Sequence, residues 1–369
     1  MKTFKKSMMI LGVLIAVLLL SGIAFLYTKP FGAHPAGERL KRIERSPHYK
    51  AGAFHNLEPT PMLTEGTGYV EVLYDFFAGA KPKEPQEPLP HQKTDLMALE
   101  PHENVLVWMG HSSYFIQLDG VKILVDPVFS GNASPVSFTT KAYAGSDIYT
   151  PEDMPAIDYL FITHDHWDHL DYPTMRRLRN KIKKVICGLG VGAHLERWGY
   201  ASESIIEQNW YESFKPKAGW EVHTLPARHF SGRGIKRNQT LWVSFALISP
   251  VARIYMGGDS GYGKHFLDIG ERYGPFDLAI LENGQYDVCW KYIHMLPGEQ
   301  LQAAKALRAY TLLPVHSSKF TLATHDWDEP LKKIVENQEK SVRVITPMIG
   351  EKVNLDDRQQ TFKRWWEGW

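Results

Sequence analysis

The sequence predicts an α/β fold of two packed sheets with helices outside them, carried behind a single transmembrane helix. Three observations lead there. From about residue 104 onward, strand-like and helical segments follow one another to the "YTLLPVH" stretch, the mixture expected of layered sheets and helices. The first of these segments form a hairpin, so the sheets are mixed and not purely parallel. Residues 8–27, "MMILGVLIAVLLLSGIAFLY", run for 20 residues without a charge.

A helix of 20 residues spans about 30 Å, the thickness of a bilayer core. A cleaved signal peptide would have a shorter apolar region, about 7–15 residues, followed by a small-residue cleavage site. Only "GIA" at 22–24 resembles such a site, so an uncleaved anchor is expected. Residues 1–7 form a basic N-terminus with Lys2, Lys5 and Lys6. They favour a cytoplasmic start and an exported catalytic body. Lys29, Arg39, Lys41, Arg42 and Arg45 lie just downstream and pull the other way. The exported topology is the expectation. The downstream cluster reads either as a contact for anionic headgroups or as an ordinary solvated face.

Composition bounds the rest. A chain of 369 residues, 44% apolar and 22% charged, can build a sizeable core. The net charge of +1 argues neither for nor against nucleic acid, and no nucleic-acid partner is expected. Two cysteines, Cys187 and Cys289, exclude a disulfide framework but leave one bridge open; neither sits in a CxxC pair, which argues against a thiolate metal site, and both read as core residues.

Residues 28–104 read as an arm packed on the catalytic domain. Within it "GYVEVLYDFFAG" (68–79) is a short amphipathic helix and "KPKEPQEPLPHQ" (81–92) an extended loop that cannot join a central strand. The domain proper, 105–369, opens with strands in "NVLVWMG" and "SSYFIQLDGVKILVD", the latter pair turning at Asp119–Gly120. Helix is expected in "YPTMRRLRNKI", "VGAHLERWG", "GKHFLDIGERYG" and "GEQLQAAKALRA". Strand is expected in "KVICGLG", "WEVHTLPA", "TLWVSFALIS", "RIYMGGD", "DLAILEN" and "YTLLPVH".

The chemistry concentrates in "THDHWDHLD", residues 163–171, after the apolar run "IDYLFI". Imidazole nitrogen and carboxylate oxygen are the usual ligands of a borderline-soft divalent cation. His164, His166, Asp168 and His169 lie too close in sequence to reach one ion together. The spacing suits two ions side by side, about 3.5–4 Å apart, with His164 and His166 on one and Asp168 and His169 on the other. Further ligands are expected at other strand ends, where His229, Asp259 and His316 stand. Asp259, flanked by glycines that allow close approach, is the natural bridging carboxylate. Taken singly, each of these three would more often be a hydrogen-bonded loop or core residue.

These motifs resemble the metallo-β-lactamase superfamily. "GHSSYFIQLDG", "LVDPVFSGNASP", "HDHWDHLDY", "DSGYGKHFLDIGERYGPFDLA" and "PVHSSKFTLATHDWDEPL" are similar to its N-acyl-phosphatidylethanolamine-hydrolysing phospholipase D group. "SPHYKAGAFHNLEPT" resembles that group's N-terminal extension, and the likeness covers roughly residues 46–335. The resemblance implies a four-layer αβ/βα sandwich with a dinuclear site at one edge of the sheets. It implies two zinc ions, one on His164, His166 and His229 and one on Asp168, His169 and His316, bridged by Asp259. Iron or manganese would fit these ligands nearly as well. Three positions depart from the group's pattern and put the exact lipid in doubt: Trp167 stands for a tyrosine, Ile293 for a glutamine before His294, and Ser317–Ser318 for Trp-Gly.

Asp168 and His294 are the candidate catalytic side chains. The resemblance places His294 in the active-site cleft, where it would contact the phosphate or protonate the leaving oxygen, since imidazole titrates near neutral pH; a structural histidine is the other reading. Asp126, ending "KILVD", could hold a ligand histidine's other N–H; a turn-forming Asp-Pro is an equally good reading. His111 is either such a support or a loop histidine, and Trp167 is placed near substrate. The remaining histidines, among them His194, His265 and His325, have no evident partner. No GxSxG elbow and no GxxxxGK[ST] loop occur. The expectation is a membrane-anchored hydrolase of a phospholipid phosphodiester. A water made acidic between two cations would attack phosphorus, releasing phosphatidic acid and N-acylethanolamine. Its expected partners are the lipid substrate and the bilayer, with a homodimer also open. A lactonase or soluble phosphodiesterase on the same metals is the alternative. A non-catalytic, membrane-tethered metal protein is the second, disfavoured because seven ligands for two ions leave room for water.

Overall fold

Helix α1 (Lys2–Leu26) opens the chain in the computed structural model, which describes residues 2–78 and 82–368. Its window Phe4–Leu26 has a mean hydropathy of 2.9, and none of it is buried against protein. A helix apolar on every side with no protein around it is a candidate membrane span.

The arm follows as α2 (Gly37–Glu44), the small hairpin β1 (Tyr49–Lys50) and β2 (Ala53–Phe54), and α3 (Tyr69–Ala78). Residues 82–90 contain neither helix nor strand, while Gly79 and Lys81 of the expected segments lie outside the described residues. Ile43, Phe54 and Leu89 are fully buried in the main core, so the arm is packed at three points along its length. The basic cluster after the anchor is largely paired. Arg39 binds Glu207 at 2.7 Å and Glu196 at 2.9 Å, and Arg42 binds Glu212 at 3.0 Å. These arginines tie the arm to the domain.

The domain then runs β3 (Val105–Trp108), β4 (Tyr114–Leu118), β5 (Val121–Val125), β6 (Ile157–Ile162), α4 (Tyr172–Leu178), β7 (Ile182–Gly188), α5 (Gly192–Arg197) and β8 (Ile205–Gln208). Its second half is β9 (Ser213–Phe214), β10 (Glu221–Leu225), β11 (Ser244–Ile248), β12 (Arg253–Met256), α6 (His265–Tyr273), β13 (Phe276–Glu282), α7 (Glu299–Ala306), β14 (Ala309–Val315), α8 (Glu329–Glu336), β15 (Arg343–Val344) and β16 (Lys352–Asn354). Two seven-stranded sheets result, ordered β16-β3-β4-β5-β6-β7-β8 and β15-β14-β13-β12-β11-β10-β9. Each has antiparallel pairs on one side and parallel pairs on the other. Asp119 (φ 48°) and Gly120 (φ 74°) make the tight β4–β5 turn, whose positive φ angles match strand twist.

Ile116, Ile123 and Phe161 of the first sheet meet Phe245, Ile254 and Ile280 of the second in the central core. Phe115, Leu124 and Leu160 face outward onto Met175, Leu178 and Leu195 of α4 and its successor α5. Tyr255, Ala279 and Leu312 face outward onto Phe266, Leu301 and Ile334 of α6, α7 and α8. The layers are therefore helix, sheet, sheet, helix. Strands covered on both faces read as continuous apolar runs, which is why they were legible without alternation.

Four differences from expectation have physical reasons. The stretch 240–243 is not strand: Leu241 N–H donates to Leu189 O (2.8 Å) and Val243 N–H to Thr163 O (2.9 Å), so it plugs across to the other sheet. Strands β8, β9, β15 and β16 are short edges with no strong pattern of their own. The tail "RWWEGW" closes the core, with Trp365 5% and Trp366 1% exposed. Cys187 is a core residue as expected, but Cys289 is only partly buried, in a single 3-10 turn (Val288–Trp290) after β13.

Helices α6 and α7 touch at Gly270, where an added Cβ would sit 1.9 Å from the Ala306 carbonyl oxygen. Alanine there gains about 1 kcal/mol of helix propensity but forces overpacking of about 3 kcal/mol. Gly270→Ala is expected to lower the melting temperature by several degrees in calorimetry. An unchanged or raised Tm would show that the helices separate freely at this point.

Candidate metal centre

The seven predicted ligands all lie where strands end. His164 to His169 follow β6, His229 follows β10, Asp259 follows β12 and His316 follows β14. Gly258 (φ 61°) makes the close approach behind Asp259, since a Cβ there would lie 2.8 Å from Thr163 Cβ. His111 (φ 51°), Asp126 (φ 41°) and His316 (φ 65°) all adopt left-handed backbone. Such conformations are disfavoured for these residues and are held by their surroundings at working sites.

Two groups of ligand atoms form. In one, His166 Nδ1 lies 2.9 Å from His164 Nε2 and 3.2 Å from His229 Nε2. In the other, Asp168 Oδ2 lies 3.2 Å from His316 Nε2 and 3.4 Å from His169 Nε2. Asp259 Oδ2 stands between them, 3.1 Å from His169 and His316 Nε2 and 3.8 Å from His164 and His229 Nε2.

The hydrogen bonds behind the rings show which nitrogens are bare. Thr163 Oγ1 donates to Asp126 Oδ2 at 2.6 Å, so it accepts from His164 Nδ1–H at 3.0 Å. His169 Nδ1–H donates to Asp126 Oδ2 (2.8 Å) and His229 Nδ1–H to Ile293 O (2.9 Å). His316 Nδ1 faces Gly284 O at 3.3 Å. With Nδ1 so occupied, each of these rings turns Nε2 toward the centre. Burial, then the neighbouring imidazoles, holds His164 far below the usual histidine range, and burial does the same for His229. Burial also opposes charge on His316, but Asp259 and Asp168 outweigh it and raise its pKa to about 10.

Imidazole Nε2 atoms and carboxylate oxygens gathered at about 3 Å, together with Asp259 Oδ1 buried without a partner, suit a cation among them. A tetrahedral ion with bonds of about 2.0 Å sets its ligands about 3.3 Å apart. The residues fit a pair of divalent metal ions. Burial raises the cost of the Asp168 and Asp259 charges, yet the surrounding histidines keep both well below the ordinary carboxylate range.

The supporting residues divide. Asp126 grips Thr163 N–H (2.9 Å), Thr163 Oγ1 and His169 together. His111 Nε2 meets Asp168 Oδ2 at 2.8 Å. Trp167, placed near substrate by sequence, instead packs edge-on against Phe31 (5.1 Å) and beneath the Arg233 guanidinium (3.9 Å). It is not among the residues that line the cleft, because its ring is taken up by Phe31 and Arg233 on the other side of the loop. His194 and His265 are buried structural residues with partners: His194 bonds Asp165 at 3.1 Å, and His265 faces Ser260 at 3.2 Å. His325 accepts from Gln285 N–H at 2.7 Å.

Reasoning from the sequence missed Glu282 and Asn56. Glu282 Oε2 lies 2.5 Å from His294 Nδ1; the signal was an acid closing the apolar run of β13. Asn56 of the arm accepts from His229 N–H (3.1 Å) and donates to His229 O (2.7 Å); no local pattern marks it. Asp126→Asn supplies one acceptor oxygen where three donors converge, so metal affinity is expected to fall about 10–100-fold. Competition with a chromophoric chelator would measure it, and wild-type affinity would remove Asp126 from the support.

A cleft of about 270 Å³ opens onto His166, Asp168, Asp259 and His316. His294 lines it, stacked at 5.2 Å on His316. A four-layer sandwich with a buried two-metal ligand cluster at its strand ends and an open cleft above it defines a metal-dependent hydrolase. A family model described as beta-lactamase superfamily domain matches residues 121–317. A phospholipase D 1 of Caenorhabditis elegans, N-acyl-phosphatidylethanolamine-hydrolyzing, is 32% identical over 280 residues, 68% of this chain and 76% of that one. The chain belongs to the metallo-β-lactamase superfamily, in its N-acyl-phosphatidylethanolamine-hydrolysing phospholipase D-like group. An uncharacterized protein of Mycobacterium tuberculosis is 36% identical over 327 residues, 84% of this chain and 85% of that one. Among solved structures, the metallo hydrolase Igni18 of Ignicoccus hospitalis shares the fold, with a TM-score of 0.53 at 23% identity over 68% of this chain and 97% of that one.

Proposed function

We propose that this chain is a membrane-anchored zinc hydrolase that cleaves N-acyl-phosphatidylethanolamine to phosphatidic acid and N-acylethanolamine. The observation that carries this reading is the wall of the cleft. Met62, Leu63 and Val72 of the arm and Phe230, Trp290 and Leu322 of the domain make it apolar, with Arg237 beside them. An apolar wall leading to metal ligands, with a guanidinium at hand, suits a lipid carrying a phosphodiester.

When bound, the two cations supply an activated water and stabilise charge on the phosphoryl oxygens. The chain's own groups do the rest. Arg237 draws the phosphate in, the apolar wall orients the acyl chains, and Asp168 and His294 flank the reacting centre. Beside the cleft, α3 exposes Tyr69, Val70 and Tyr74 by 62%, 82% and 67%, a surface suited to lipid. The end of the anchor is tied to the metal side of the domain. Arg197 donates to Tyr27 O (2.6 Å), Trp198 Nε1 to Lys29 O (2.7 Å) and Arg233 Nε to Pro30 O (3.0 Å). An anchor so fixed keeps the site at the bilayer and raises the effective concentration of lipid. The proposed catalytic side is the exported one.

The test is hydrolysis of N-acyl-phosphatidylethanolamine in water enriched in heavy oxygen, with metal analysis and mass spectrometry. Label in phosphatidic acid, with about two zinc per chain, is expected. Label in a released fatty acid would mean carboxyl or amide cleavage, and no product from metal-loaded protein would exclude this lipid.

A further inference from the structure

Strand β13 ends on a carboxylate, Glu282, that is not among the seven ligands above although it stands within 4.8 Å of Asp259, His294 and His316. Glu282 is 1% exposed, and its two oxygens have separate tasks. Oε2 lies 2.5 Å from His294 Nδ1, and Oε1 accepts the backbone N–H of Met295. Capping one N–H does not call for a buried charge, since a neutral acceptor would do so without the desolvation penalty. His316 Nδ1 is 3.6 Å from Oε2, beyond hydrogen-bond range, and faces Gly284 O instead. The close partner is His294, whose ring lines the cleft. With Nδ1 held by Glu282, Nε2 is the nitrogen left for substrate.

We infer that Glu282 is the positioning residue for His294, fixing the ring so that Nε2–H faces the oxygen that leaves phosphorus. The inference rests on the phosphodiester reading above. As the bond from phosphorus to the N-acylethanolamine oxygen breaks, its electron pair stays on that oxygen. Nε2–H supplies the proton, giving the free alcohol. The attacking water's oxygen forms the new bond to phosphorus, and one of its protons returns to Nε2. Throughout, Nδ1–H remains on Glu282. Glutamine at 282 has one acceptor oxygen for two N–H donors, so it cannot hold His294 and Met295 together and carries no charge to support a protonated ring.

The experiment compares two lipid diesters that differ only in the leaving group, N-acylethanolamine and p-nitrophenol. An alkoxide needs a proton as it departs, whereas p-nitrophenolate is stable without one. In the metal-loaded full chain, Glu282→Gln is expected to lower kcat about 100-fold for the N-acylethanolamine diester and about 5-fold for the p-nitrophenyl diester, with KM within about twofold. His294→Asn should show the same split. Adding Glu282→Gln to it should cost little more, since coupled residues are non-additive. Metal content and melting temperature are read in parallel. Equal losses on both diesters, with or without loss of metal, would make Glu282 part of the scaffold and overturn the assignment, as would no loss on either. If Glu282→Gln does not fold, Glu282→Asp, which keeps the charge but shortens the reach, carries the same comparison. Wild-type protein that cleaves neither diester would overturn the phosphodiester reading itself, and this assignment with it.

Discussion

Asp259→Ala is expected to lower turnover at least about 10³-fold, the scale of several kcal/mol of charge stabilisation lost from a two-metal site. Its Oδ2 is the atom common to both ligand groups, within 3.8 Å of four imidazole nitrogens. Gly258 before it lets the backbone press on Thr163 and carry this carboxylate between the two groups. His316→Ala should have a comparable effect by removing a ligand from one group only. Folding should survive both changes, since neither residue belongs to the three apolar clusters that hold the layers together. Steady-state kinetics with metal analysis and circular dichroism would check this. A folded Asp259→Ala protein with wild-type turnover would sink the two-metal assignment.

Removal of the metals should silence the enzyme and also loosen it. Without cations, bare imidazole nitrogens and two buried carboxylates face one another within about 3–4 Å. At free metal of about 1,000 times Kd, binding stabilises the folded state by about 4 kcal/mol. Dialysis against a strong chelator is therefore expected to abolish activity and lower Tm by about 5 °C, with recovery of both on adding zinc. Ligands must be deprotonated to bind, so metal should be lost more readily as pH falls. Chelated, metal-free protein with unchanged activity would refute a metal-dependent reaction.

Much of this site was legible because metal ligands are chemically conspicuous. Three histidines and three aspartates in nine residues cannot be an ordinary loop. A lone His229 or His316 is ambiguous, and only their place after apolar strands marked them. Asp126 and His111 were even choices in sequence; in the fold they bond His169 and Asp168. Trp167 was set near substrate by its place beside the ligands, but sequence adjacency does not say which way a side chain turns, and its ring packs on Phe31 and Arg233. Glu282 and Asn56 went unseen because their partners are 12 and 173 residues away.

The sequence by itself determined what depends on local composition and period. That includes the charge-free helix α1, the order of the long strands and of the helices α4 to α7, the turn at Asp119–Gly120, and the chemical type of the ligand set. Tertiary structure alone decided what depends on distance. It placed four strand ends at one edge of the sandwich, put Asp259 between two groups of imidazoles, and set Glu282 behind His294. It paired Arg39 and Arg42 with Glu196, Glu207 and Glu212, tying the arm to the domain. It also drew Trp365 and Trp366 into the core. Hydrophobic period is written within a few turns of chain, whereas a lone pair's partner is fixed only once two sheets have packed face to face and brought their ends together.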